Sequence, residues 1–122
     1  MAEACAQQRV KCLVNISRIS ACAPLSDSDL PYCVGDPFQF GQSGLSYALA
    51  KYLGEQIGPA YYQAHGLNII HLRPGVIAGN GLNPGPTTPN APKAPWFVYV
   101  DPRDVAQAVE RALETQEVMY GA

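Results

Sequence analysis

The sequence has little net charge and no run of apolar residues long enough to cross a bilayer. Eight Lys and Arg residues face ten Asp and Glu residues, so there is no basic excess with which to hold nucleic acid. The segment before Val10 lacks the apolar core of a signal peptide. We therefore expect a cytoplasmic protein that has neither a nucleic-acid partner nor a membrane partner.

The sequence also lacks cysteines and histidines at the spacing that is typical of metal ligands. The four cysteines form no C-x-x-C pair, and only two histidines could assist them. Scattered free thiols in a reducing compartment are a better interpretation than a zinc site, so we expect no metal. The 122 residues are 48% hydrophobic, which describes one globular domain, or part of one, with a modest core.

Tyr47 and Lys51 lie in a segment, residues 43–65, that has the composition of a helix. Ser43 is a suitable N-cap, and His65-Gly66 is a typical helix end. Residues four apart share a helix face, so the lysine ammonium can lie beside the tyrosine ring. A tyrosine that acts as a base needs such a cation, because an unperturbed phenol titrates near pH ~10. The alternative is an ordinary amphipathic pair.

The same helix separates small residues from large apolar ones. Gly54 and Gly58 project within about 20° of Tyr47, which indicates close approach by a sheet or a ligand. The opposite face carries Leu45, Leu49, Leu53 and Ile57. This apolar face predicts either a homodimer interface or packing against a helix formed by Met1–Arg9, and both alternatives stay open.

Two apolar segments of strand length, Val10–Ile16 and Leu67–Arg73, flank this helix. A strand, a helix and a second strand in this order predict a βαβ unit with parallel strands. Ligands of open α/β sheets bind beyond the carboxyl ends of the strands. Ser17 and Pro74-Gly75 follow the two strands and are expected at that edge.

Prolines predict where regular structure stops. Pro59 removes a backbone donor, so we expect a kink or break in the long helix near residues 55–58. Residues 23–42 read as a loop, and residues 83–95 contain five prolines and read as an extended loop.

The carboxyl-terminal part begins with a third apolar segment, Trp96–Val100, which is expected to be a strand. Asp101 is a suitable N-cap for a following helix, with Pro102 and Asp104 in its first turn. The helix should extend through Leu113. These positions explain both aspartates structurally, so neither is assigned a catalytic role.

Four segments in this order resemble the extended short-chain dehydrogenase/reductases, a family of NAD(P)-dependent epimerases, dehydratases and reductases that often act on nucleotide sugars. The matching segments are Val14-Asn-Ile-Ser17, Tyr47-x-x-x-Lys51-x-x-x-Glu55, Gly66-Leu-Asn-Ile-Ile-His-Leu-Arg-Pro-Gly-Val-Ile-Ala-Gly79 and Val98-Tyr-Val-Asp-x-x-Asp104-Val-Ala. Together they cover most of the chain outside the Pro-rich loop.

The resemblance implies a partial doubly wound, Rossmann-like parallel sheet with flanking helices. Residues 1–82 would be the carboxyl-side part of a Rossmann-like domain, 83–95 a Pro-rich loop, and 96–122 a strand and helix of the substrate-side region.

The resemblance also implies roles for individual residues. Tyr47 would exchange a proton with a small-molecule substrate, such as a nucleotide sugar, while a hydride passes to or from NAD or NADP. Lys51 would favour the phenolate and hold the nicotinamide ribose. Pro74 and Gly75 would border the nicotinamide, and Ser17 would lie near the substrate oxygen.

Three positions depart from the family pattern. No G-x-x-G-x-x-G turn is present to seat a pyrophosphate, so we expect a truncated copy, the carboxyl-side part of such an enzyme. Arg18 occupies the place of the family's second hydroxyl residue, which leaves that role to Ser17 or Ser20. Pro59 interrupts a helix that the family keeps continuous. These departures support the alternative of a non-catalytic α/β module, a pseudoenzyme or interaction protein that cannot hold a dinucleotide.

Overall fold

The computed structural model describes residues 1–19, 45–79 and 99–115, in which helices alternate with short strands. In chain order the elements are α1 (Ala2–Gln7), β1 (Cys12–Ile16), α2 (Leu45–Gln56), α3 (Gly58–His65), β2 (Asn68–Leu72), β3 (Val76–Ile77), β4 (Tyr99–Val100) and α4 (Pro102–Glu114). The α/β class predicted from the sequence is confirmed. The predicted Ser43 cap, the 23–42 loop and the Pro-rich 83–95 loop lie outside the described residues.

The strands β1 and β2 pair in parallel, with Cys12 opposite Asn68 and Ile16 opposite Leu72. Backbone hydrogen bonds extend this pairing past both strand ends. The amide of Ser17 donates to the Leu72 carbonyl at 2.7 Å, and the amide of Ile19 donates to the Pro74 carbonyl at 3.1 Å. The predicted parallel pairing is therefore confirmed, and the segments that follow the two strands lie side by side.

The helical segment between these strands is divided in two, as Pro59 predicts. The first helix ends at Gln56 and the second begins at Gly58, so that Pro59 lies in the first turn of α3, where its missing N–H costs nothing. Gly66 ends α3 at φ 68°, and its amide donates to the Tyr62 carbonyl at 2.8 Å. This left-handed conformation suits glycine, since a side chain would crowd the backbone there.

The apolar core lies between the β1–β2 pair and the helices α1 and α3. Its buried members are Ala2, Leu67 and Ile69, and the half-buried residues packed on them are Cys5, Leu13 and Tyr61. The Tyr61 hydroxyl donates to Glu3 Oε2 at 3.1 Å, which joins α3 to α1. Of the two strands, β2 is the better covered, since Ile69 and Ile70 are buried, whereas every residue of β1 is half-buried.

The apolar face predicted on the long helix does not use α1 as its cover. Leu53 and Ile57 are 53% and 45% exposed, whereas α1 contacts α3. The alternative in which these two residues pack against the first helix is therefore wrong. The side chain of Leu45 lies outside the described structure, and Leu49 is half-buried.

A second parallel pair joins β3 to β4, with Val76 opposite Tyr99 and Ile77 opposite Val100. The helix α4 follows β4 and contacts β1 and β2, with Ala112 buried. Asp101 is its N-cap as predicted, because its Oδ1 accepts the amide N–H of Arg103 at 2.8 Å. Strand β3 was not predicted from the sequence.

Candidate active site at the carboxyl ends of β1 and β2

One face of the β1–β2 pair changes from apolar to polar along the strands. Leu13 and Ile69, which are opposite each other, contact the core. Because side chains alternate along a strand, the next residues on that face are Asn15 and His71, and their side chains are joined by a contact of 2.9 Å between Nδ2 and Nδ1. The residues that follow on this face, just beyond the strands, are Ser17 and Arg73.

A buried ion pair joins α2 to this polar end. Arg73 Nη2 lies 2.6 Å from Glu55 Oε2, and Arg73 Nε lies 3.1 Å from both carboxylate oxygens. The side chain of Glu55 is 4% exposed and that of Arg73 is 24% exposed. Several hydrogen bonds between a planar guanidinium and a carboxylate fix both the separation and the relative orientation of the two groups.

The environment of Glu55 favours its charged form. Burial raises the pKa of the Glu55 carboxyl, but hydrogen bonding from Arg73 and from Ser17, together with the charge of Arg73, outweighs burial, so the pKa lies below its ordinary value of 4.5. Ser17 Oγ is buried near this carboxylate, but no described residue meets hydrogen-bond geometry with it. The Arg73 guanidinium, which does form hydrogen bonds to Glu55, is therefore the main cause that lowers this pKa.

His71 is the second titratable group in this polar region. Burial is the main cause that lowers the pKa of His71, and the charge of Arg73 acts in the same direction, whereas the charge of Glu55 opposes them. His71 Nδ1 contacts the Asn15 amide, and Nε2 is buried with no hydrogen-bond partner among the described residues. A lowered pKa keeps the imidazole neutral at neutral pH.

Lys51 lies one helical turn before Glu55 and binds the end of β1. Its Nζ donates to the carbonyl oxygen of Ile16, the last residue of that strand, at 2.9 Å. A lysine ammonium carries three N–H donors, so two remain that the described residues do not engage. The ammonium is thereby held at the carboxyl end of the strand, next to Ser17.

Tyr47 lies one turn before Lys51 and is 51% exposed. Two cations lie close to its ring: Arg18 Cζ is 5.4 Å from the ring centroid, and Lys51 Nζ is 5.7 Å from it. Contacts of this length are within the range of cation–π attraction. The hydroxyl-bearing ring is therefore accessible to solvent in a locally positive environment.

The three residues Tyr47, Lys51 and Glu55 form what we call the α2 polar face. The sequence predicted that Tyr47 and Lys51 would share a face, and the structure places that face at the carboxyl end of β1. Ser17 is also at this end, but it is buried toward Glu55. Pro74 and Gly75 follow β2 beside residues 17–19, since the Pro74 carbonyl accepts the amide of Ile19.

Among the described residues, no strand lies close to Gly54, whereas close approach by a ligand stays a prediction. A Cβ built on Gly54 would meet no atom of the described structure within 4 Å. Gly58 is buried, but it belongs to α3, because the helix breaks at Ile57. The break places Gly58 on a different helix from Tyr47 and Gly54, so the three residues do not share one continuous helix face.

Sequence reasoning missed the ion pair and the contact of Arg18 with Tyr47. The i, i+4, i+8 spacing of the α2 polar face was a usable signal, since it aligns Glu55 with Lys51. A partner for Glu55 could then have been sought on the strand that follows, where Arg73 ends an apolar run. The Arg18 contact had no comparable signal, because it depends on the path of the chain after β1.

No protein-family model matches the chain, and neither a curated protein nor a solved structure matches it significantly. None of the helices in residues 1–19, 45–79 and 99–115 is long and apolar enough to cross a membrane. A functional assignment therefore has to come from the residues themselves.

Proposed function

We propose that this chain carries the acid/base part of an NAD(P)-dependent oxidoreductase, epimerase or dehydratase site of the extended short-chain dehydrogenase/reductase type. The scaffold would be part of a doubly wound, Rossmann-like parallel sheet. The observation that carries the proposal is the hydrogen bond from Lys51 Nζ to the Ile16 carbonyl, because it fixes the α2 polar face at the carboxyl end of a parallel strand.

Tyr47 is the proton-transferring group in this proposal. Its ring is half exposed, and two cations lie within 6 Å of the ring centroid. In the proposed reaction, the Tyr47 oxygen accepts the proton of a substrate hydroxyl when the carbon that carries the hydroxyl is oxidised, and it returns the proton in the reverse direction. A bound nicotinamide supplies hydride acceptance and donation at that carbon.

The residues that would hold the nicotinamide half of the cofactor are compatible with it. Beyond its bond to Ile16, Lys51 has two N–H donors that no described residue engages and that could bind ribose hydroxyls. Pro74 and Gly75 lie at the same sheet edge and would border the ring. The pyrophosphate has no matching G-x-x-G-x-x-G turn in the sequence, so we expect weak binding of the whole dinucleotide by this chain.

The hydroxyl expected beside the substrate oxygen has two candidates. Ser17 is 4% exposed and lies toward Glu55, which favours a structural role for it. Ser20, which lies outside the described residues, is then the better candidate. Exchanging each serine for alanine and comparing turnover would separate them, with the larger loss expected for Ser20→Ala.

A second candidate function is a non-catalytic α/β module that binds no dinucleotide. The contact of Arg18 with the Tyr47 ring favours it, because the guanidinium lies over a face that a substrate or nicotinamide would need. The absent phosphate-binding turn favours it as well. Under this alternative, Tyr47 and Lys51 serve only to pack α2 against the end of β1.

Titration with NADH and NADPH, followed by nicotinamide fluorescence, separates the two functions. The proposal predicts saturable binding that Lys51→Met weakens and that Lys11→Met, a change at an exposed lysine, leaves intact. Tyr47→Phe should retain binding and abolish any turnover of an alcohol or nucleotide-sugar substrate. Absence of binding at millimolar cofactor would support the non-catalytic module.

We also propose a homodimer through the apolar face of Leu45, Leu49, Leu53 and Ile57. The exposure of Leu53 and Ile57 supports it, since large apolar side chains are commonly covered in an assembly. Sedimentation equilibrium should give twice the monomer mass, and Leu53→Glu should give a monomer. A monomer at high concentration in the unchanged protein would contradict the dimer.

A further inference from the structure

The α2 polar face is attached to the sheet at two points that differ in chemistry. Lys51 donates one hydrogen bond to a backbone carbonyl of β1 at 2.9 Å. Glu55, one turn later, binds the guanidinium of Arg73 just beyond β2 through contacts of 2.6 to 3.1 Å. A single N–H···O bond permits rotation about its axis, whereas a multiply bonded guanidinium–carboxylate pair restricts both sliding and rotation.

We propose that the Glu55–Arg73 ion pair positions α2 so that Lys51 stays on the Ile16 carbonyl and beside the Tyr47 ring. Glu55 is a positioning residue in this proposal, because its carboxylate is buried two turns away from Tyr47, the exposed end of the face. The proposal deepens the proposed function and rests on it only in taking Tyr47 and Lys51 to be the reactive pair.

Burial argues that the ion pair serves orientation more than stability. Apolar residues of similar volume often replace a buried ion pair with no loss of stability. What such a replacement loses is the directional bonding. The surroundings of the ion pair are polar as well, because Ser17 and His71 place two further buried polar groups on this face of the strands.

The reactivity of the Lys51 amine toward acetic anhydride measures this positioning without any cofactor. Mass spectrometry gives its labelling relative to Lys11, which is exposed and serves as an internal reference. Glu55→Gln should raise the Lys51 to Lys11 ratio about tenfold, the lower end of the scale on which a hydrogen bond to a charged group is lost. Glu110→Gln, which removes an exposed carboxylate from α4, should leave the ratio unchanged.

A double variant separates positioning from space filling. Glu55→Met with Arg73→Met replaces the ion pair by apolar contact and serves as the test if Glu55→Gln alone does not fold. The proposal predicts that the Lys51 to Lys11 labelling ratio of this double variant stays about tenfold above that of the unchanged protein, even when the two proteins have equal free energies of unfolding. A ratio restored by the two methionines, or unchanged in folded Glu55→Gln, would overturn the proposal.

Cofactor binding supplies an independent readout. If NADH binds, Glu55→Gln should weaken it, and adding Glu55→Gln to Lys51→Met should cause no further loss, because Glu55 acts through Lys51. Additive losses would contradict positioning. A chain that shows the labelling effect but binds no NADH would refute the proposed function while leaving the positioning role in place.

Discussion

Removing the charge of Glu55 should destabilise this chain more than changing any exposed carboxylate. Deleting one partner of a fully buried ion pair costs about 3–5 kcal/mol. The side chain of Arg73 is 24% exposed, so water compensates its guanidinium in part. We therefore expect Glu55→Gln to lower the free energy of unfolding by about 2–3 kcal/mol at neutral pH.

The destabilisation caused by Glu55→Gln should depend on pH, in a direction that the pKa of Glu55 determines. That pKa is lower in the folded chain than its ordinary value of 4.5, so the carboxylate contributes stability above that value. The contribution is lost as the pH falls through the folded-state pKa. The difference between the unchanged protein and Glu55→Gln should therefore narrow in acid, whereas Glu110→Gln should stay close to the unchanged protein throughout.

Urea unfolding followed by far-ultraviolet circular dichroism measures both effects. Unfolding curves at neutral pH and near pH ~3 would give the two free-energy differences for each variant. A Glu55→Gln protein within about 0.5 kcal/mol of the unchanged protein at neutral pH would refute the reasoning, since it would behave as a surface substitution.

The remaining stability predictions concern glycines and a helix cap, and the same urea assay tests them. Gly66→Ala should lower the free energy of unfolding by about 1 kcal/mol, because φ is 68° there. Gly54→Ala should raise it by about 0.5–1 kcal/mol, because alanine favours a helix interior and no described residue crowds the new Cβ. If both variants changed the free energy of unfolding in the same direction, these expectations would be contradicted. Asp101→Ala should destabilise α4, and Asp101→Asn, which keeps an acceptor for the Arg103 amide, should destabilise it less. Hydrogen bonding from Arg103 lowers the pKa of Asp101 from 3.8 to about 2, so the charged cap should contribute its full stability above pH 3.8 and lose it as the pH falls through about 2.

The parts of the fold that the sequence predicted are those with local causes. Pro59 lacks a backbone donor, Gly66 accepts a left-handed conformation, and Asp101 can cap the residues that follow it. Each of these properties acts within one turn of chain. The apolar runs around β1 and β2 also have the length of strands, and one helical connection between them predicts parallel pairing.

The parts that the sequence did not predict depend on distant segments meeting. Strand β3 has two residues and is defined by pairing with β4, more than twenty positions later. The Glu55–Arg73 ion pair requires the register of β2 against α2, which periodicity alone does not give. The expected approach of a sheet to Gly54 was inferred from one helix alone, whereas no described residue comes within 4 Å of a Cβ built there.

Reduced nicotinamide mononucleotide tests the central claim most directly, because it contains the nicotinamide and ribose but not the pyrophosphate link for which this chain has no matching turn. Amide shifts in the ¹⁵N-labelled protein would locate the ligand. We expect saturable changes in the amide chemical shifts of Tyr47, Lys51 and Gly75, and Lys51→Met should remove these changes. Shifts confined to other parts of the chain, or none at millimolar ligand, would contradict a nicotinamide site on the α2 polar face.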